Sequence, residues 1–320
     1  MIVVGALVAG TLLVLWGGPA MLSASVRWRV EPTAALAAWL ILLASTFATL
    51  AAAAALAVLP GHGPAADLPY LVRHGWSAVD HSELPWTDAV LGVAGAAVLG
   101  VTTLRVARAA LRRYREQRDA HERHVDALRV VARTEPGAYP LMWVDHAHPL
   151  AYSVAGASCP PVIVASRGLS EQLSGSGLAA VLEHERAHLR GRHHLLVGLA
   201  EAMASALPAL PLMRRSPALV AVLVELAADR AAARQHGPGA VRAALLTLTA
   251  IGVPRAGLAM GRSAIGQRLA TLEEGRVNGR FRSRATAVTA AAAAALLPAA
   301  VGGVLLVGSG YALCGLFGIG

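Results

Sequence analysis

Long stretches without a charged residue constrain this chain more than any other feature of its sequence. Four such stretches occur: Met1 to Val26, Pro32 to Ala66, Ala89 to Leu104 and Ala285 to Gly320. A helix needs about 20 apolar residues to cross the hydrocarbon core of a bilayer. Because 56% of the residues are hydrophobic and only 15% are charged, the composition also lies outside the usual range of soluble domains. The sequence therefore predicts a mainly α membrane protein with about four transmembrane helices and the lipid bilayer as a partner.

Two of these stretches need a further argument. The third has 16 uncharged residues, but Trp86 suits one interface, and Arg105 and Arg108 can extend their charged ends to the other. The first has the length of a signal peptide, yet it lacks a basic n-region and an A-x-A cleavage site. We expect both stretches to be membrane-spanning helices.

The distribution of arginine orients the spans, because cytoplasmic loops collect positive charge. The short loop after the first span carries Arg27 and Arg29, whereas residues 61–88 carry one arginine and four acidic residues. Residues 105–284 hold 25 of the 28 arginines. We predict a plasma-membrane protein of a bacterium with both termini outside. The predicted domains are 1–104 (three helices with the outer loop 61–88), 105–284 (a cytoplasmic domain) and 285–320 (a closing helix).

All 28 basic residues are arginine, and the chain contains no lysine. A Walker-type phosphate loop, a Schiff-base lysine and an S-x-x-K acylation site are therefore excluded. The net charge of +9 reflects membrane topology rather than a reader module, so direct nucleic-acid binding is not expected. Cys159 and Cys314 are predicted to lie on opposite sides of the membrane, and no disulfide is expected.

The predicted cytoplasmic segment begins with a charged helix, Arg105 to Arg133, which continues from the third span. It stops at a breaker cluster, Glu135-Pro136-Gly137. Short strands are predicted at Leu141 to Val144 and Pro161 to Ala165. A helix follows from about Gly177, which indicates an α+β domain inserted between the third and fourth spans.

This helix carries the run H-E-R-A-H, His184 to His188. Residues four apart share one helix face, so His184 and His188 can offer ring nitrogens to one tetrahedral zinc ion. Glu185 is turned about 100° away, toward the open side of such a site. Zinc would acidify the attacking water and polarise a peptide carbonyl, and Glu185 would accept the proton. The run predicts a zinc metalloendopeptidase.

A zinc site needs a third protein ligand, and His194 is one candidate. The stretch from His184 to His194 literally matches H-E-x-x-H-x-x-G-x-x-H. If the helix continued past Gly191, however, His194 would sit about 120° around from His188, and His193 would lie nearly opposite His184. The residues after His194 have the composition of helix. We therefore predict an uninterrupted helix with His193 on its polar face.

Glu225 is the other candidate, in the run V-E-L-A-A-D-R, 37 residues beyond His188. That distance allows one helix to end and a second, starting after Ser216-Pro217, to return alongside it. Glu225 and Asp229 are four apart on one face. Glu225 can bind zinc while Asp229 accepts a hydrogen bond from a ligand imidazole. We favour Glu225 over His194.

With these motifs in place, nearly the whole chain resembles the BlaR/MecR-type membrane metallopeptidases, which are relatives in motif of the HtpX-type and prenyl-protein proteases. The resemblance implies a gluzincin-like zinc peptidase domain with zinc as cofactor. It implies zinc ligation by His184, His188 and Glu225, with Glu185 as the base. Family members that sense β-lactams carry an extracellular domain acylated at S-x-x-K. This chain ends at Gly320 without a lysine, so we expect no covalent β-lactam sensing.

The resemblance also bears on the substrate. The run P-V-I-V-A-S-R-G-L is similar to a segment that offers an edge to an extended substrate, which implies a substrate strand at Val162, Ile163 and Val164. It implies that a cytoplasmic winged-helix repressor of the BlaI/MecI type is cleaved in signal transduction. An HtpX-like quality-control protease and a non-catalytic zinc-binding signalling subunit are the alternatives. Homo-oligomerisation is left open, as is the choice of oxyanion-stabilising residue among Tyr152, His193 and His236.

Overall fold

A computed structural model describes residues 2–27, 31–58, 85–155, 160–251 and 265–272, with the single residues Leu296 and Ala300. Three sequence predictions lie outside the described residues: the fourth span, the outer loop before residue 85 and the placement of the two cysteines.

Three long helices form the N-terminal part of the molecule: α1 (Ile2–Arg27), α2 (Pro32–Val58) and α3 (Pro85–Val131). Each is long and apolar enough to cross a membrane, and they coincide with the first three predicted spans. Helix α2 packs against both α1 and α3. At 47 residues, α3 is about 70 Å long. It therefore extends well beyond a bilayer core, and its charged second half continues from the span without a break.

The chain then forms a four-stranded sheet with strands β1 (Arg133–Glu135), β2 (Leu141–Val144), β3 (Ala151–Val154) and β4 (Val162–Ser166). The strand order is β1-β2-β4-β3, with β2 and β4 parallel and the other pairs antiparallel. The strands β2 and β4 agree with the two predicted strands. Strands β1 and β3 are additional, because three or four residues without regular alternation leave little signal in a sequence.

The placement of β4 corrects the predicted substrate strand. All five residues of β4, Val162, Ile163 and Val164 among them, are buried. The strand lies between β2 and β3 and pairs with both, so its backbone groups have no free edge to offer. The apolar run that suggested a substrate strand is instead typical of a strand buried on both faces. The edge of the sheet on this side belongs to β3.

In the described residues after the sheet, the helices are α4 (Arg167–Gln172), α5 (Gly175–Arg190), α6 (His193–Ala206), α7 (Pro211–His236), α8 (Pro238–Ala250) and α9 (residues 265–272). The Ser174 side chain accepts from the Gly177 amide and so caps the start of α5. Helix α5 packs against α7, α8 and β3. Helix α7 begins at Pro211, earlier than predicted, and continues through Pro217.

The predicted uninterrupted helix after His188 is wrong. Helix α5 ends at Arg190, and α6 begins at His193. Between them Arg192 adopts a left-handed conformation with φ of 48°, the only positive φ of a non-glycine residue in the described part of the chain. Glycine is needed at position 191 because a Cβ atom there would lie 2.3 Å from Nε2 of His193 and would collide with the ring. Because the composition is helical on both sides, the sequence gives no local signal for this break.

Helix α7 joins the long apolar helices α1 and α2 to the rest of the domain. Its N-terminal half shares one apolar core with α1, α2 and α6. Within that core the indole nitrogen of Trp39 on α2 donates to the Ser216 hydroxyl over 2.9 Å, and neither side chain is exposed to solvent. At the level of the loop between α1 and α2, Arg230 lies 3.7 Å from Glu31. The second half of α7 is thereby fixed relative to the spans.

Candidate metal centre

Three side chains that could bind a metal ion converge on one point from two helices. His184 and His188 lie on successive turns of α5, with their Nε2 atoms 3.0 Å apart. Glu225 approaches from α7, with one carboxylate oxygen 3.6 Å from His184 Nε2 and the other 3.4 Å from His188 Nε2. Ligand atoms of a tetrahedral zinc site with bonds of about 2.0–2.2 Å lie roughly 3.4 Å apart. The spacing of the three side chains therefore fits a single metal ion.

The far side of the His184 ring is held by Asp229. Nδ1 of His184 lies 2.9 Å from Asp229 Oδ1, and both side chains are buried. Because a carboxylate accepts, Nδ1 carries a proton that it donates to Asp229, and Nε2 is the ring atom that faces the metal position. A carboxylate behind a ligand imidazole is a common means of fixing its tautomer and orientation.

Arg268 on α9 is a component of the site that sequence reasoning missed. Its Nε and Nη2 atoms donate to the two oxygens of Asp229 over 2.5 and 2.6 Å. Its Nη1 atom lies 2.9 Å from Oε2 of Glu225. The side chain is almost completely buried. No motif distinguishes Arg268 from the other arginines of the chain, 28 in all. Its role at the site becomes visible only in the structure, where α9 packs against α7.

These contacts set the charges of the two acids. Burial favours the neutral form of Asp229, but Arg268 and His184 outweigh burial and lower the pKa of Asp229 to about 2. The pKa of Glu225 is likewise lowered, because His184 and Arg268 outweigh the effect of burial. Both carboxylates are therefore anionic at neutral pH, as ligation of a cation and support of an imidazole require.

The ligand histidines differ from each other. Burial disfavours the charged form of His184, but the hydrogen bonds to Asp229 and Glu225 raise its pKa to about 9. For His188, burial and the neighbouring His184 lower the pKa to about 4. One ring thus has an anion behind it and the other does not. A metal ion would displace the proton of His184 from Nε2, which faces the metal position.

His193 lies against the second ligand histidine, and this corrects its predicted place on a polar face. The ring is 6% exposed, and its Nδ1 atom is 3.0 Å from Nδ1 of His188. Burial and the proximity of His188 lower the pKa of His193 to about 4. His194 is exposed and is not part of the ligand group.

An open cleft of about 370 Å³ gives access to the three ligands. Glu185 lines it, half-buried, beside the ligands. Residues 149–153, which include most of β3, line the cleft together with apolar side chains of α5 and α8. Among the described residues β3 pairs only with β4, so its second edge has no strand partner there.

Of the three candidates for oxyanion stabilisation, only Tyr152 is among the described residues that line the cleft. Its hydroxyl is 2.8 Å from Nε2 of His124 on α3. The sheet thereby contacts the helix that continues from the third span. The structure thus brings together His184, His188, Glu225, Glu185 and Asp229, while it places Val162, Ile163 and Val164 inside the sheet.

Two imidazoles and one carboxylate around a site with an open side are the donor set of catalytic metal centres rather than of closed structural ones. Within the described residues this is the one group of three or more potential ligands that could hold a metal ion. The residues present therefore fit a catalytic metal ion.

Comparison with known proteins agrees with this chemistry. Neither a curated protein nor a solved structure matches the chain. Residues 114–251, however, match the family model for Peptidase family M48. The matched segment runs from the second half of α3 to the end of α8, so it contains the sheet, the ligands and Asp229 but not Arg268. Peptidases of this family are metal-dependent, and the match together with the three apolar helices supports a membrane-type metallopeptidase.

Proposed function

We propose that this protein is a zinc-dependent endopeptidase of the gluzincin type, anchored in the membrane. The observation that carries the proposal is the convergence of His184, His188 and Glu225 at an open cleft that Glu185 also lines. Two imidazoles and one carboxylate are a common ligand set of catalytic zinc in peptidases. The match of residues 114–251 to a family of metal-dependent peptidases supports the same reaction.

Each side chain has a distinct task in this proposal. Two histidines and Glu225 hold the zinc ion, which when bound supplies a Lewis acid for the peptide carbonyl and makes water more acidic. Glu185 accepts the proton of the attacking water and passes it to the leaving amine. Asp229, held by Arg268, keeps His184 in the ligating tautomer.

We further propose that the substrate binds as an extended strand. Within the described residues the second edge of β3 has no strand partner, and it lines the cleft; strand addition at such an edge is a common form of peptide recognition. Val181, Leu245 and Leu248 also line the cleft, which favours apolar side chains of the substrate next to the cleaved bond. Ala151 to Val154 thus replaces the β4 segment as the proposed substrate strand.

Removal of zinc tests the proposal directly. The purified full chain in detergent is expected to contain about one zinc ion per molecule and to cleave an unfolded polypeptide. Chelation should abolish cleavage, and stoichiometric zinc should restore it, because the ligands remain in place on two packed helices. Zinc content by mass spectrometry and cleavage by gel are the measurements. Cleavage that persists in a zinc-free sample would contradict the proposal.

We also propose that the catalytic domain faces the cytoplasm and cleaves a winged-helix transcriptional repressor. The arginine-rich segment after residue 104 supports the orientation, and the resemblance to BlaR/MecR-type peptidases supports the substrate. Co-expression with a winged-helix repressor of the BlaI/MecI type is expected to yield repressor fragments that require Glu185. If the repressor stays intact while unfolded membrane proteins are degraded, the quality-control function is correct instead.

A further inference from the structure

The two ligand histidines have different partners behind them. On both rings Nε2 points to the metal position, and Nδ1 points away from it. Behind His184 the partner is the carboxylate of Asp229, at 2.9 Å. Behind His188 the partner is the imidazole of His193, with the two Nδ1 atoms 3.0 Å apart. The second contact has no place in the function proposed so far.

The hydrogen-bond roles of this contact are set by ligation. A ring that binds metal through Nε2 carries its proton on Nδ1. His188 is therefore the donor, and Nδ1 of His193 is the acceptor, so His193 is neutral with its own proton on Nε2. A histidine that is neutral can accept at one nitrogen only. The pair is thus directional, and it fixes the rotation of the His188 ring.

The break between α5 and α6 allows this contact. In a continuous helix the side chains of His188 and His193 would be separated by about 140°. The left-handed Arg192 ends that helical path, and the absence of a side chain at Gly191 leaves room for the His193 ring beside α5. The ring of His193 then fills the space next to Gly191 and is 6% exposed. A non-glycine residue in the left-handed region costs free energy, which the contacts at this corner have to offset.

A neutral histidine at position 193 adds no charge to the site, whereas an aspartate or glutamate there would add a negative one. The buried site already holds the anions of Glu225 and Asp229, with Arg268 as the cation that contacts both. Glu185 adds a third acid at the cleft. With zinc bound, these charges cancel. A neutral acceptor behind His188 orients the ligand without adding a further uncompensated negative charge to a site of low dielectric.

We propose that His193 is a positioning residue for the zinc site, which holds the His188 ring in its ligating orientation through a neutral Nδ1 to Nδ1 hydrogen bond. The inference rests on the proposed zinc peptidase function. It adds a residue that lies outside the cleft lining and the ligand group, and it assigns a role to the helix break at Gly191 and Arg192.

Three substitutions at this position separate hydrogen bonding from packing. In His193→Ala the acceptor and the ring are both lost, in His193→Phe a ring remains without an acceptor, and in His193→Asn the amide oxygen can accept from His188. Loss of a partner behind a metal ligand typically weakens metal binding by about 10- to 100-fold. We expect that loss in the Ala and Phe variants, and near-wild-type affinity in the Asn variant. The matched control is His194→Ala, the exposed neighbour.

Zinc affinity of the full chain in detergent is measured by competition with a chromophoric chelator, and the absorption of the cobalt-substituted protein reports ligand geometry. We also expect kcat to fall with KM unchanged, because His193 does not line the cleft. Equal zinc affinity of wild type, Ala and Phe variants would overturn the inference, as would an Asn variant as weak as the Phe variant. A wild type that binds no zinc would instead refute the proposed function itself.

Discussion

The Glu185→Gln variant is expected to bind zinc as the wild type does and to lose about 10²- to 10⁴-fold in kcat/KM, the range typical of a removed general base. Glu185 lines the cleft beside the ligands but does not belong to the ligand group. Glutamine has nearly the same size, yet its amide has no basic oxygen to take a proton from water. Metal content and peptidase activity should therefore separate in this variant.

The measurements are zinc content by mass spectrometry and the rate of cleavage of an unfolded polypeptide by the full chain in detergent. Glu171→Gln is a matched control, because Glu171 is an exposed acid on α4 outside the cleft lining. It should keep wild-type activity. If Glu185→Gln retained full activity with zinc bound, another residue would have to be the base, and the proposed roles at the cleft would be incorrect.

The second large effect is expected at Arg268. Replacement by methionine would leave the carboxylates of Asp229 and Glu225 without their shared buried cation. Breaking a buried ion pair by removal of one partner costs about 3–5 kcal/mol, since the remaining charge is uncompensated. We expect a markedly lower thermal midpoint of the metal-free protein for Arg268→Met. The loss should be smaller when zinc is bound, because the metal compensates Glu225.

A double-mutant comparison isolates the cause. Asp229→Asn removes the charge that Arg268 neutralises but keeps an oxygen that can accept from His184. If the charge imbalance is what destabilises Arg268→Met, the double variant should be more stable than Arg268→Met alone. Arg129→Met is the control, since Arg129 forms an exposed pair with Asp126, and such pairs contribute about 0–1 kcal/mol. Strict additivity of Arg268→Met and Asp229→Asn would contradict the explanation.

Local sequence patterns were sufficient for the spans and for the ligands that lie close together on one helix. Uncharged stretches predicted α1, α2 and α3, because a membrane-spanning helix must satisfy its backbone groups internally and its length is set by the bilayer. The four-residue spacing of His184 and His188 predicted their common face. Glu225 was predicted from a four-residue spacing with Asp229 and a plausible return of the chain, and the structure does bring it within reach of both histidines.

Long-range packing explains the features that the sequence did not indicate. The apolar run of β4 is compatible with an edge or an interior strand, and only its pairing with β2 and β3 decides between them. Arg268 has no spacing relation to Asp229, which lies 39 residues earlier, so their contact exists only once α9 packs against α7. Trp39 and Ser216 are joined in the same way across 177 residues.

The run from His184 to His194 separates what local sequence determines from what only tertiary structure decides. By itself the sequence determined that H-E-R-A-H places two histidines on one face of a helix, since helix periodicity is a local property. It did not determine the conformation of the chain after Gly191, because helical composition on both sides outweighs a two-residue break. Tertiary structure alone decided that the helix ends before Arg192 and that His193 contacts His188, since the buried contact is formed between two separate helices.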